Sequence, residues 1–452
     1  MVAEVLLLVF SGFLAGLLGS LTGLGGGVVL IPLLTLFVGV PLAYAAGAAL
    51  VSAVTTSASS AGGYIRRGFV NMRIGVGLTT ATTTGAILGT LAAHYVYSTG
   101  LEWALYVAFG VVLLASIVPS YERGKSEMPP YKPPDWSTKV FKLWGSYYDP
   151  VLGCWCKYWG VRWWLGWALM FAAGFVGGLL GIGAGALKVL ALDWAMNLPM
   201  RVSTTSSNLM IGVTAATGGS LYWSFGYIQP FIAAVTAVGV FAGSYVGTSL
   251  LMRITGRQAR WVYTAILAFL GVRMMLAGAA PGISAAVDYA ISAAAAVAVT
   301  AVLSLRQRGE NRREDFEVYR GEPPRPGGLE ELFANAVSKL LIYVVFLSTA
   351  LVVVGVALLA AEGGGMGRPL SVVAAPQSPV NTTSISLSKA AAAALALDGL
   401  GVVAVGLVLL LALPFVVVAL NFARFVLERD LIYSALGLVT LVNLTVALLA
   451  SL

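Results

Sequence analysis

The sequence predicts an all-α polytopic membrane protein: two inverted-topology repeats with broken, re-entrant helices, followed by a C-terminal three-helix membrane domain. Three observations predict it: the composition, two glycine-interrupted spans and an internal repeat. Of 452 residues, 59% are hydrophobic and 10% charged, against roughly 25% charged in an ordinary soluble domain. Mean hydropathy is +0.89. A water-facing fold of this size cannot hide so much apolar surface, so the bilayer must solvate most of the chain, which excludes a soluble enzyme. With one histidine, His94, and two cysteines, Cys154 and Cys156, there is little material for a metal or acid–base centre. No enzyme, metal or cofactor is expected.

Apolar stretches fall at 2–19, 24–38, 42–62, 74–97, 101–119, 163–182, 184–197, 202–223, 229–252, 261–277, 282–305, 339–361, 389–420 and 431–452. The first lacks the basic n-region of a signal peptide and reads as a retained span. Two stretches, 24–38 and 184–197, are too short to cross comfortably. Glycine interrupts each, as GSLTGLGGG at 19–27 and GIGAG at 181–185. Such clusters inside a membrane point to broken helices, whose freed backbone groups must face protein or a cavity.

GFLAGLLG at 12–19 matches GFVGGLLG at 174–181. Beyond the glycine loop the offset settles at 158, placing Gly25, Gly27, Pro41, Thr56, Gly85 and Gly89 on Gly183, Gly185, Pro199, Thr214, Gly243 and Gly247 without a gap. The chain therefore divides into repeat one (1–119), a loop (120–162) and repeat two (163–278). An extra helix with an Arg-rich linker (279–338) and the tail domain (339–452) follow.

Lys and Arg exceed Asp and Glu by 27 to 19. In a membrane protein that excess marks cytoplasmic loops and not a nucleic-acid footprint. Loops 66–73, 120–162, 253–260, 306–338 and 421–430 are accordingly expected inside. The repeat-two counterpart of 66–73 carries no Lys or Arg, so the two copies run in opposite senses and the N-terminus is outside. Inverted repeats with discontinuous helices are a secondary-transporter plan with substrate at the repeat interface.

Certain residues fit such a site. Gly25, Gly26 and Gly27 open one half-helix and Gly183 and Gly185 the other, where bare N–H groups and the helix dipole attract an anion; close helix packing is the alternative. Hydroxyls cluster around Thr56 and Ser57 and along Ser203, Thr204, Thr205, Ser206 and Asn208, either as ligands or bonded to their own i−4 carbonyls. Lys188 and Asp193 are charged residues in a short apolar segment; Lys188 either neutralises the anion or snorkels to an interface. Arg273 and His94 read as interfacial, and Asp398 as a lone carboxylate in the 389–420 span. Cys154 and Cys156 lie in a Trp- and Tyr-rich loop that reads as an interfacial belt. Asn381-Thr382-Thr383 is a glycosylation-type triplet or simply a polar loop.

The segments GFLAGLLGSLTGLGGGVVLIPLL, AAGAALVSAVTTSASSAGGYIRRGFVN and GAILGTLAAHY resemble the first half of the TauE/SafE family of membrane anion transporters, the sulfite exporters. GFVGGLLGIGAGALKVLAL and STTSSNLMIGVTAATGGSLYWSFGYI resemble its second repeat. The tail is similar to a small three-helix membrane domain of uncharacterised function sometimes appended to that family. The resemblance covers roughly residues 1–278 and implies export of sulfite or small organosulfonates by alternating access. It leaves open a proton as coupling ion, a homodimer, and the other class of function, a membrane sensor or scaffold whose tail is a partner surface. The chain departs from a perfect repeat at Ala184, where the first copy has Gly26, at Leu190 for Pro32, and at Lys188 for Leu30.

Overall fold

The computed structural model describes residues 2–22, 25–117, 129, 131–149, 153–251, 256–280, 284–307, 328–385 and 387–449. Arg123, Lys125 and Arg253, and the linker 308–327, lie outside the described residues. The protein is an all-α polytopic membrane protein. In a bilayer the backbone must satisfy its own polar groups, and helices do so within one segment. Among the described residues, eight helices are long and apolar enough to cross a membrane.

The first part runs α1 (Val2–Thr22), the short α2 (Gly27–Leu33) continuing as a π-turn over Leu34–Val38, α3 (Leu42–Arg66), α4 (Met72–Ser98) and α5 (Glu102–Ala115). After α6 (Trp136–Val140) and the hairpin β1 (Trp144–Asp149) and β2 (Cys154–Trp159), the order recurs. It runs α7 (Trp163–Leu180), α8 (Gly185–Leu190) with a π-turn at Ala191–Ala195, α9 (Met200–Ser224), α10 (Pro230–Leu251) and α11 (Gly256–Ala279). Gly27 and Gly185, Leu42 and Met200, and Met72 and Pro230 each begin equivalent helices at the 158-residue offset seen in the sequence.

The two sets interlock. The first helix of one lies against the fourth of the other, α1 on α10 and α7 on α4, while α3 lies against α9. Glycines make these approaches close: a Cβ at Gly12 or Gly16 of α1 would stand 2.3 or 2.2 Å from the carbonyl oxygens of Thr236 or Val240. One at Gly85 or Gly89 of α4 would stand 2.2 or 2.0 Å from those of Phe171 or Phe175. Without a hydrophobic drive between helices in lipid, such small-residue contacts supply much of the packing.

The aromatic stretch after α5 is a folded cap and not only a belt. Trp144 pairs with Trp159 and Tyr147 with Cys156 across the hairpin, and Asp135 caps α6 by accepting from the Thr138 N–H at 2.8 Å. The Asp135 carboxylate also accepts from the Arg162 N–H at 2.7 Å, closing the segment onto the start of α7. The sulfurs of Cys154 and Cys156 lie 4.0 Å apart and are not joined in a disulfide.

Beyond α11 come α12 (Ala285–Gln307), α13 (Leu329–Glu362), a two-residue ladder β3 (Gly364–Gly365) and β4 (Arg368–Pro369), then α14 (Leu370–Val373), α15 (Leu387–Leu395), α16 (Gly399–Leu427) and α17 (Leu431–Leu449). The stretch read as one span from 389 breaks at Leu397, whose φ is +59°. Asp398 is thus no lone carboxylate in a span: it caps α16, accepting from the N–H groups of Leu400 and Gly401 at 2.9 and 3.2 Å. This region is bolted to α3, α4 and α9. Ser338 donates to the Gly62 carbonyl at 2.7 Å, Asn443 to Thr83 and Thr84 at 3.0 and 2.9 Å, and Thr382 to the Trp223 carbonyl at 2.6 Å. Arg73 pairs with Glu428 at 3.2 Å and Lys142 with Asp430 at 2.7 Å.

Candidate anion site between the two helix breaks

The break after α1 is made by Gly25 and Gly26, at φ +83° and +72°, with Gly26 capping α2. The break after α7 is made by Gly181, Gly183 and Ala184, at φ +73°, +66° and +50°. Ala184, at the position of Gly26 in the first copy, is left-handed helical (φ +50°, ψ +36°), a placement that costs a β-carbon-bearing residue about 1–2 kcal/mol; Gly26 shares the positive φ but has ψ −33°.

The two breaks meet. A Cβ at Gly27 would lie 3.3 Å from the Ile182 Cα, and a Cβ at Gly25 or at Gly183 would stand 2.8 or 3.0 Å from the same atom, Cγ2 of Ile211 on α9. Small residues of α3 line the other side: Ala46 against Gly181, Ala49 against Gly27 and Ala53 against Gly183, with the Thr56 hydroxyl 3.3 Å from the Cβ position of Gly26. The sequence thus puts alanine and threonine, one turn apart, where two bent backbones must approach a helix.

Across this junction Ser57 donates to the Asn208 carbonyl at 2.6 Å, tying α3 to α9. Gly212 admits the bond, since a Cβ there would stand 2.4 Å from the Ser57 hydroxyl. The Asn208 side chain is wholly buried, and neither its amide nitrogen nor its oxygen has a hydrogen-bond partner. An amide left bare in the interior costs about 1–3 kcal/mol. It lies on the face of α9 that carries Ile211 and Gly212.

The structure therefore brings together Gly25, Gly26, Gly27, Thr56, Ser57, Gly183 and Asn208. The other hydroxyls serve elsewhere. Thr205 donates to the Phe69 and Arg201 carbonyls at 2.9 and 2.8 Å, and Ser206 accepts from the Asn71 N–H at 3.3 Å, so this part of α9 braces the turn between α3 and α4. Ser203 donates to the Leu198 carbonyl at 3.4 Å, and Thr204 is buried close by. Gly185 begins α8, and its carbonyl accepts from Ser207 at 3.4 Å. Thr55, Thr56 and Ser60 bond their own i−4 carbonyls.

Lys188 occupies a second polar spot. It is wholly buried, and its amine donates to Thr214 Oγ1 at 2.7 Å and the Met210 carbonyl at 3.4 Å. Thr214 in turn donates to Thr82 of α4 at 3.0 Å. Ion pairs among the described residues join other side chains. Met210 and Thr214 lie on the opposite side of α9 from Asn208, as the 100° helical step requires, so the amine points toward α4. Thr214, the repeat counterpart of Thr56, is a participant the sequence reading did not single out. Ile211 is another, and nothing in its local sequence marks it.

A helical membrane protein with paired, interlocked helix breaks is a transporter scaffold. The profile of the family described as Sulfite exporter TauE/SafE matches residues 8–274, and the chain belongs to that family. Residues 337–449 match a family described as a protein of unknown function, DUF1634. The chain is similar to the probable membrane transporter protein YunE of Bacillus subtilis, 23% identical over 60% of this chain and 97% of that protein. It is also similar to the probable membrane transporter protein YdhB of the same organism, 25% identical over 59% and 99%, and to the probable membrane transporter protein MJ0441 of Methanocaldococcus jannaschii, 25% identical over 60% and 95%. No solved structure matches the chain.

Proposed function

We propose that this membrane transporter is a secondary exporter of small sulfur oxyanions or organosulfonates such as sulfite, working by alternating access between two inverted repeats. One observation carries the reading: the two helix breaks converge on Ile211, one helical turn from Asn208, whose buried amide has no partner. An oxyanion entering there exchanges its water shell for the Asn208 N–H₂, and for the Thr56 and Ser57 hydroxyls once they release the Ser52 and Asn208 carbonyls to which they donate. Helix N-termini supply partial positive charge without a fixed counter-ion. Lys188, one helical turn beyond Gly185, adds a cation across α9 whose field reaches the same centre. Ser203, Thr204, Thr205 and Ser206 support the turn through which the inner end of α9 would move.

In this reading the segments 66–73, 120–162, 253–260, 306–338 and 421–430, several of which include helix ends, face the cytoplasm, residues 1–278 form the transporter unit, and 339–452 are a separate appended domain. The bonds from Ser338, Asn443 and Thr382 to α3, α4 and α9 favour a regulatory part for that domain. Deleting 279–452 then alters the rate of transport without abolishing it.

Thermal unfolding of the purified protein across a panel of anions tests the substrate class. Sulfite and short sulfonates should raise the midpoint by several degrees in the wild type and leave Asn208→Leu unmoved. A shift with chloride or carboxylates alone would contradict the assignment.

A further inference from the structure

The turns that join α3 to α4 and α9 to α10 are repeat equivalents. Asn71 and Gln229 stand 158 residues apart, as do Gly68 and Gly226, whose φ angles are +70° and +76°. Each amide caps the helix that follows it. The Asn71 oxygen accepts from the Ile74 N–H at 3.1 Å, and the Gln229 oxygen from the Ile232 N–H at 2.5 Å. Spending the oxygen on an orphan donor of the first helical turn fixes which way the amide faces. Its nitrogen is left over, with two N–H groups to place.

In both copies that nitrogen holds a segment foreign to the repeats. Asn71 Nδ2 donates to the Tyr158 hydroxyl at 3.2 Å and the Trp144 carbonyl at 3.4 Å, both on the hairpin of the cap. Gln229 Nε2 donates to the Val373 carbonyl at 2.6 Å, at the end of α14 in the tail. Further along the tail, Thr382 grips the same turn twice: its hydroxyl donates to the Trp223 carbonyl at 2.6 Å and its N–H to the Ile228 carbonyl at 3.2 Å. The two held turns lie at opposite ends of the α3–α9 pair. Thr205 of α9 bonds Phe69 at one end. At the other, the Cβ position of Gly47 on α3 is 2.0 Å from the Tyr227 carbonyl. Ala49, Ala53 and Thr56, which face the helix breaks, lie between those ends along α3.

We propose that the tail domain is a latch: its segment 373–383 closes one end of the α3–α9 pair as the hairpin cap closes the other, and each is released in turn to open the junction to its own side. The repeats supply equivalent turns, and unrelated sequence supplies the two closures. That gives the appended domain a task the repeats cannot perform for themselves. Each closure is a few hydrogen bonds, and losing one shifts an open–closed equilibrium only about fivefold, so the latches can break within a transport cycle. The inference rests on the alternating-access reading and not on the anion carried.

The test uses the full chain with Cys154→Ser and Cys156→Ser, and Ala53→Cys as a reporter at the junction; Ala49→Cys is a second reporter. Membrane vesicles of both orientations are labelled with a membrane-impermeant methanethiosulfonate. Ala53 and Ala49 are wholly buried, so the parent should label slowly from either face. Asn71→Asp keeps the oxygen that caps α4 but loses the N–H₂ group, and Tyr158→Phe removes only an acceptor. Both should speed labelling from the cytoplasmic face, where the reading above puts the cap, by about fivefold. Thr382→Val and Gln229→Glu should speed it from the opposite face alone. Labelling needs no sulfite, so a protein that moves none can still show both one-sided increases. Unchanged labelling in the variants of either end, or an increase on the wrong face, would overturn the proposal. So would an increase on both faces from a change at one end, the mark of general loosening.

Discussion

The Ser57 hydroxyl donates to the Asn208 carbonyl at 2.6 Å, and that bond crosses from α3 to α9 at the point where the two helix breaks converge. It exists because residue 212 is glycine. Gly212→Ala should force the two helices apart and destabilise the protein by about 1–3 kcal/mol, the usual overpacking range. Ser57→Ala should cost about 1 kcal/mol. The double variant should lose less than the sum, because the alanine at 57 removes the nearer of the two atoms that the new methyl meets, the hydroxyl at 2.4 Å, and leaves the Cβ at 2.9 Å. Unfolding of all four proteins in detergent gives the coupling; strict additivity would place the two residues out of contact.

Asn208→Leu should separate stability from transport. The amide is buried and unpartnered, so an apolar side chain of similar size should raise stability by roughly 1 kcal/mol. The same change should remove anion-dependent stabilisation. A variant that is destabilised, or that still responds to sulfite, would speak against a ligand-facing amide.

Glycine positions should divide sharply. A Cβ at Gly89 would stand 2.0 Å from the Phe175 carbonyl, whereas one at Gly63 would meet nothing nearer than 3.8 Å, at Thr248. Gly89→Ala should therefore destabilise by about 1–3 kcal/mol. Gly63→Ala should be neutral or stabilise by up to about 1 kcal/mol, through the backbone entropy that glycine loses. Comparing their thermal midpoints checks whether α4 and α7 touch as closely as described.

The cap over 131–163 should be sensitive to acid. Partial burial alone would raise the Asp135 carboxyl, but hydrogen bonds from the Arg162 N–H, the Ser137 hydroxyl, and the Thr138 N–H and hydroxyl outweigh it and hold the group below the ordinary carboxylate range. The sign follows: its stabilising contribution is complete above the unfolded value near 4 and is lost as pH falls through the lowered one. Amide exchange across 136–164 should stay slow at pH 5 and quicken below pH 4, and Asp135→Asn should exchange quickly at both. Slow exchange in the variant at pH 5 would refute the role of this carboxylate.

Much of the fold was legible because membrane helices announce themselves by length and glycine marks their breaks. Gly27 and Gly185 do begin the half-helices, and the 158-residue register carries through α3 and α4 to α9 and α10. The site was legible only in part. Gly25, Gly26, Gly183, Thr56, Ser57 and Asn208 converge, but which way a helical side chain turns depends on its partners. Sequence alone could not place Thr205 and Ser206 at the α3–α4 turn or aim Lys188 at Thr214 and Thr82. The hairpin was hidden because its Trp and Tyr residues also suit a membrane interface, and the Asp398 cap because no glycine or proline precedes it to mark the break at Leu397.

Sulfite efflux from loaded proteoliposomes tests the central claim most directly, with the wild type, Gly26→Val and Asn208→Leu reconstituted at equal density. Gly26 has φ +72° and would place a Cβ 2.8 Å from the Ala15 carbonyl, so valine there should disrupt the cradle. The wild type should release sulfite faster than protein-free vesicles, and both variants, folded by their elution profile, should fall to that background. Wild-type release at background, or both variants matching the wild type, would contradict it.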